Sequence, residues 1–110
     1  MESSENLQNM SQELRRGLIM LAVLSQLSKK QYGYALLKLL SDRGLQVDQG
    51  TLYPLLRRLE TQGLLESSWN VEEARPRRYY VISSEGRKLL PRLRSEWERM
   101  VAAMVRLLKA

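Results

Sequence analysis

The stretch from Asp48 to Gln62, DQGTLYPLLRRLETQ, constrains the chain most. Asp48 is a good N-cap, because its carboxylate can accept backbone N–H bonds from the first helical turn. Val47 before it and Leu52 after it occupy the positions of a hydrophobic staple. Leu52, Leu55, Leu56 and Leu59 fall on one side of a helix, and Gly63 follows as a C-terminal stop. The opposite side carries Gly50, Pro54, Arg57 and Thr61, flanked by Tyr53 and Arg58, with Glu60 as the only acid and toward the edge. A basic, nearly acid-free front on a single helix suits a polyanion, and its width suits a DNA major groove. Taken in isolation, the stretch also fits an ordinary amphipathic helix with a solvated charged side.

Pro54 leaves two helix starts open. With Asp48 as cap, Pro54 stands near the second turn and forfeits one ladder bond, to the exposed carbonyl of Gly50. With a start near Gly50 or Thr51, it lies in the first turn, where proline costs little.

The neighbours favour the DNA reading. A second helix is expected over Tyr32 to about Arg43, with Tyr32, Leu36, Leu39 and Leu40 at helical spacing and Gly44 ending it. Gly33 and Ala35 are small enough to let a neighbour approach. Two helices joined by a short glycine-containing turn have the pattern of a helix-turn-helix, whose second helix enters the major groove. After Gly63 the period becomes alternating. Leu65, Ser67 and Trp69 share one side of a strand, NVEEARP makes a turn, and Arg77 to Ile82 alternate on a return strand. This is a β-hairpin wing with Arg75, Arg77 and Arg78 at its tip and flank, partly offset by Glu72 and Glu73. Its bland reading is a surface hairpin with scattered charges.

Upstream, Met1 to Asn9 reads as a polar arm, either frayed or joined to a first helix over about Ser11 to Leu27. That helix carries the stripe Leu14, Leu18, Leu21 and Leu24, broadened by Ile19, Ala22 and Val23, which predicts burial on several sides. Gly17 is a weak spot, tolerable where another backbone packs close. Ser28 to Gln31 form a short connection. Downstream, Ser83, Ser84 and Glu85 open a last helix running to about Lys109. In it Leu90, Leu93, Trp97, Met100, Met104 and Leu107 recur at alternating spacings of 3 and 4. This heptad-like seam exceeds what a small domain packs internally, so its far end is expected to meet a second copy of the chain. Pro91 should kink or split the helix.

Composition narrows the function classes. A net charge of +6 over 110 residues favours nucleic acid or another anionic surface as partner. Without cysteine there is no disulfide or thiolate metal site, which suits a reducing cytoplasm. Without histidine the commonest general base and metal ligand is missing, and no paired acids, phosphate loop or nucleophile motif appears. No enzyme, metal or cofactor is expected. The N-terminus is polar and acidic rather than a signal peptide, and the apolar run from Leu18 to Leu24 is too short to span a bilayer, so no membrane partner is expected.

GTLYPLLRRLETQGLLESSW, from Gly50 to Trp69, resembles the DNA-binding core of the PadR family of bacterial transcriptional regulators. So do Tyr32-Gly33-Tyr34 before it, and Arg75-Pro76-Arg77-Arg78-Tyr79-Tyr80 with Gly86 after it. The similarity covers nearly the whole chain, and TLYP, RLE-x-x-GL-L and R-x-R-R-YY in this order are specific. Ile82-Ser83 replaces the family's usual Leu-Thr, and Pro91 lies outside the pattern. The resemblance implies a mainly α fold with a small β-hairpin, divided into an arm (1–10), a winged helix-turn-helix (11–83) and a C-terminal dimerisation helix (84–110). It implies a homodimer bound to a palindromic double-stranded operator, usually repressing, and released by a ligand or stress signal. DNA contacts are expected from Tyr32, Gln49, Gly50, Thr51, Tyr53, Pro54, Arg57, Arg58, Arg75, Arg77 and Arg78. Dimer contacts are expected from Leu93, Trp97, Met100, Met104 and Leu107. In some small members a tryptophan on the last helix stacks on flat drug-like compounds. Trp97 falls there, and with Met100 and Met104 would bind a planar hydrophobic effector or else form only dimer core. The alternative function is a winged helix used solely for protein contacts.

Overall fold

The computed structural model describes residues 2–72 and 74–109. Met1 of the expected arm and Glu73 of the expected wing turn lie outside them. Helix α1 spans Glu2–Ser25, strand β1 Gln31–Tyr32, helix α2 Gly33–Asp42 and helix α3 Gln49–Thr61. Strands β2 (Leu65–Asn70) and β3 (Arg77–Ile82) follow, and helix α4 covers Ser84–Leu108. The strands form one antiparallel sheet in the order β1-β3-β2, with Ser67 opposite Tyr80 in the hairpin. No helix among the described residues is long and apolar enough to cross a membrane.

Each element ends where its local chemistry dictates. Asp48 has extended backbone angles and its carboxylate accepts the Thr51 amide proton at 2.8 Å, so α3 starts at the earlier of the two positions. Pro54 therefore lies inside the helix, on its exposed side. Gly44 and Gly63 adopt φ of 95° and 80°, left-handed values that glycine takes without steric cost. Each lets the next amide reach back five residues, Leu45 to the Leu40 carbonyl and Leu64 to that of Leu59, both at 2.9 Å. Both helices thus stop in a Schellman turn.

The core is a leucine cluster between three helices and the sheet. Val23, Leu24 and Leu27 of α1 and its following turn meet Leu36 and Leu40 of α2, Leu52, Leu56 and Leu59 of α3, and Leu65, Tyr80 and Ile82 of the hairpin. Leu90 and Leu93 of α4 pack against this cluster, half buried. Ser83 locks α4 to the end of α3: its hydroxyl donates to the Gly63 carbonyl at 2.6 Å and accepts the Gly86 amide proton at 3.0 Å.

Of the two alternatives for the arm, the structure has the joined one: from Glu2 on it is helical and continuous with α1. Other sequence expectations are corrected. Of the expected α1 stripe and its flank, Leu24, Ile19 and Val23 enter the domain core and Leu21 is half buried, whereas Leu14 and Leu18 stay exposed. No backbone packs at Gly17, since nothing lies within 4 Å of where its Cβ would stand. Gln31 and Tyr32, expected as loop and helix, form β1 against β3. α4 runs unsplit through Pro91, which lies on its exposed side, where the carbonyl that the proline leaves unpaired is open to solvent.

The two long helices carry apolar surface beyond the core. Leu7, Met10, Leu14 and Leu18 of α1 are exposed, as are α4 residues from Trp97, 40% exposed, to Leu108, 77% exposed. The radius of gyration is 16.1 Å, against about 13 Å for a compact chain of this length. The excess comes from helix ends that leave the domain.

Candidate nucleic-acid interface

α3 presents its expected front. Gln49, Gly50, Thr51, Pro54, Arg57 and Arg58 are all exposed, while Leu52, Leu56 and Leu59 fix the opposite side in the core. The helix is therefore held rigidly from behind, with a proline, a glycine and two arginines outward. Such a surface lets backbone and guanidinium groups approach a polyanion closely.

Tyr53 sits at the edge of this front, half buried, against the start of α2. A Cβ built on Gly33 would stand 2.2 Å from the Tyr53 ring, so only glycine at 33 admits the tyrosine. The small residue of YGY and the tyrosine of TLYP are thus two halves of one contact, which sets the angle between α2 and α3.

The wing is tied to α3 by Glu60. Arg78 donates from Nη2 to Glu60 Oε1 at 2.7 Å and from Nε to Ser67 Oγ at 3.1 Å, and Ser67 Oγ donates to Glu60 Oε2 at 2.6 Å. The guanidinium also lies 5.4 Å from the Tyr80 ring centre. The one acid near the front is thereby neutralised, and Arg78 holds the hairpin in register with α3. Arg77 lies on the other face of β3, its guanidinium 4.3 Å from the centre of the Tyr32 ring, which meets Tyr79 edge-on at 5.6 Å. β1 brings Tyr32 there by pairing it with Tyr79. Arg75 is exposed at the wing tip. Of the expected DNA-contacting residues, Tyr32, Tyr53, Arg77 and Arg78 are half buried and the others exposed, and Arg77 and Arg78 stand on opposite faces of β3. Sequence reasoning does not reach the Glu60–Ser67–Arg78 cluster. Its only signal there is an acid on a basic helix face and an arginine on a strand whose register the sequence leaves open.

The expected ligand residues are less gathered. Trp97 lines a cavity of about 420 Å³ between α1 and α4, with Leu18, Leu21 and Leu90 as walls and Arg94 and Glu98 among its polar lining. Met100 and Met104 lie farther along α4, exposed and outside that cavity. Glu96 is paired with Arg99.

Known proteins share this architecture. Residues 20–92 match the family described as the transcriptional regulator PadR-like family. The chain is 39% identical over 79 residues to the transcriptional regulator Rv3488 of Mycobacterium tuberculosis, covering 71% of this chain and 74% of that one. A crystal structure of a PadR family transcriptional regulator from Eggerthella lenta superposes with a TM-score of 0.91 at 42% identity, covering 100% of this chain and 98% of that one. A transcriptional regulator from Clostridium thermocellum gives a TM-score of 0.77 at 31% identity, over 86% of this chain and 96% of that one. With its winged helix, exposed basic α3 front and family match over most of its length, the chain belongs to the PadR-like family and is a DNA-binding transcriptional regulator rather than an enzyme.

Proposed function

We propose that the chain is a cytoplasmic repressor that binds a palindromic operator as a homodimer and lets go when a planar hydrophobic ligand enters beside Trp97. In this reading residues 11–83 bind DNA and residues 84–110 pair the subunits. The observation that carries it is the exposed α3 front, backed by the leucine core. α3 enters the major groove, where Thr51 and Arg57 reach base edges and Arg58 and the wing's Arg75 and Arg77 meet phosphates, while Arg78 holds the wing to Glu60. Arg57→Ala is expected to lower operator affinity and to relax preference at one base position by ~1–3 kcal/mol, the value of a bidentate guanine contact. Competition between operator and single-base variants measures it; unchanged preference would place Arg57 off the bases.

Repression requires a fixed distance between two α3 helices, roughly 34 Å for successive major grooves on one DNA face. The apolar length of α4 from Trp97 to Leu108 supports a subunit contact that sets this distance. The Trp97 cavity adjoins that length, so a flat ligand stacked on the indole would act on the same spacing. Arg94 and Glu98 both line the cavity, so its lining carries one charge of each sign. Release follows only where the ligand prefers the geometry that DNA rejects. Titration with planar cationic dyes should quench tryptophan fluorescence saturably, and Trp97→Ala should lose that quenching while Trp69 remains as background. The dye should also weaken operator binding. Quenching that survives Trp97→Ala, or dye binding without effect on DNA affinity, would leave Trp97 as packing alone.

A further inference from the structure

A helix in the major groove has a sugar-phosphate backbone on each side of it. In this fold the two sides of α3 are not equivalent. The side of Tyr53 and Glu60 faces the start of α2 and the wing, which brings Arg77 and Arg78. The side of Thr51, Leu55 and Arg58 faces α1. There α1 and α3 border an open groove of about 510 Å³, lined by Arg15 and Arg16 from α1 and by Arg58 from α3. Thr51 and Pro54 of the front line the same groove, so the arginines adjoin the surface that reads DNA.

The charge in this groove is net positive and available. Asp48 is its one acidic lining residue, and its carboxylate accepts the Thr51 amide proton at the start of α3. Hydrogen bonding to Thr51 holds its carboxyl below the usual carboxylate range; burial opposes this, and the Arg15 charge adds the smallest contribution. Among the described residues no ion pair engages Arg15, Arg16 or Arg58. Helical spacing turns Arg16 away from Leu7, Met10, Leu14 and Leu18, the exposed apolar side of α1, and sets Arg15 at the border of that side, on the flank toward the groove. A second copy of the chain seated on the apolar side would leave Arg16 open and Arg15 at its rim.

We propose that Arg15 and Arg16, together with Arg58, clamp the phosphate backbone on the α1 side of α3, the strand that the wing does not reach. This rests on the reading of α3 as the helix that enters the major groove. The recognition surface is then three-part: wing, α3 front and α1 arginines. Guanidinium groups suit the task, since each can donate two parallel hydrogen bonds to phosphate oxygens and stays charged at any working pH. A contact of this kind carries no sequence information and acts through released counterions.

The test is a salt titration of DNA binding with wild type, the double variant Arg15→Ala/Arg16→Ala, and Arg15→Lys/Arg16→Lys. Each is measured on a selected operator duplex and on a random duplex. The alanine variant should bind both duplexes more weakly by the same factor. The slope of log K against log salt should fall by about 0.9 for each phosphate that the variant no longer neutralises. The lysine variant should keep most of the slope, and the thermal midpoints of all three should agree. Wild-type slope in the alanine variant, or an affinity loss confined to the operator duplex, would overturn the clamp while leaving the DNA-binding reading intact. A wild type that binds neither duplex would overturn both.

Discussion

Met104→Glu is expected to abolish dimerisation and, with it, tight operator binding. In the single chain Met104 is 47% exposed, far along α4 from the last core contacts at Leu90 and Leu93, so the domain has no internal use for it. Its seam neighbours Trp97, Met100 and Leu107 are exposed as well. A charge at this position costs the monomer little. In a subunit interface it would be buried without a partner, at about 3–5 kcal/mol. At 1.4 kcal/mol per factor of ten, the dimer dissociation constant should rise by roughly two to nearly four orders of magnitude. Sedimentation should show a wild-type dimer and a variant monomer, both with the same helical circular dichroism. Operator affinity should then drop toward that of one half-site. A variant that still sediments as a dimer would remove the far end of α4 from the interface.

Gly86→Ala should have the largest effect on the fold itself. Gly86 lies in the first turn of α4, and a Cβ there would stand 2.4 Å from the Leu64 carbonyl oxygen and 2.6 Å from Cγ1 of Ile82. The nearest obstacle is backbone, so no side-chain rotation relieves it. The same joint holds the Ser83 bonds to Gly63 and Gly86, and the Ser83 amide donates to the Leu64 carbonyl at 3.0 Å. Moving α4 to admit the methyl group breaks these bonds. Overpacking of this kind costs typically ~1–3 kcal/mol and here should reach the upper end. Thermal unfolding should shift down by roughly 10 °C or more for a domain of this size. Gly50→Ala is the natural control. Its Cβ would find only Asp48 Oδ1, at 3.8 Å, so the folded state should gain about 0.5–1 kcal/mol. Equal thermal midpoints for the two variants would show that the Gly86 contact is not what docks α4.

The parts of this fold that sequence reading reaches are those with local causes. The Asp48 cap, the stops at Gly44 and Gly63, the leucine side of α3 and the alternation of the hairpin each depend on residues within a few positions of one another. What it misses depends on distant partners. β1 is two residues long and exists because Tyr79 and Tyr80 lie beside it; in sequence, Tyr32 has the spacing of a helical residue. α1 is apolar on two sides, and nothing in its own pattern states that the Ile19 and Val23 side meets the core while the Leu14 side is left outside. Pro91 is a helix breaker by rule, yet it stands on an exposed side, where a carbonyl can do without its ladder bond, and α4 continues. At the interface, the exposed residues of α3 are legible from helical periodicity. The frame that orients them is not, because Glu60 and Arg78 are 18 positions apart and Gly33 and Tyr53 are 20.

On the proposed function, two copies of this surface read DNA together. Selection of binding sites from random duplex DNA with the wild-type protein tests it most directly. The enriched sequence should be an inverted repeat whose half-site centres lie about 10–10.5 base pairs apart or a multiple of that, the spacing of two α3 helices on one face of the duplex. Enrichment of a single unrepeated site, or of no sequence at all, would contradict the account.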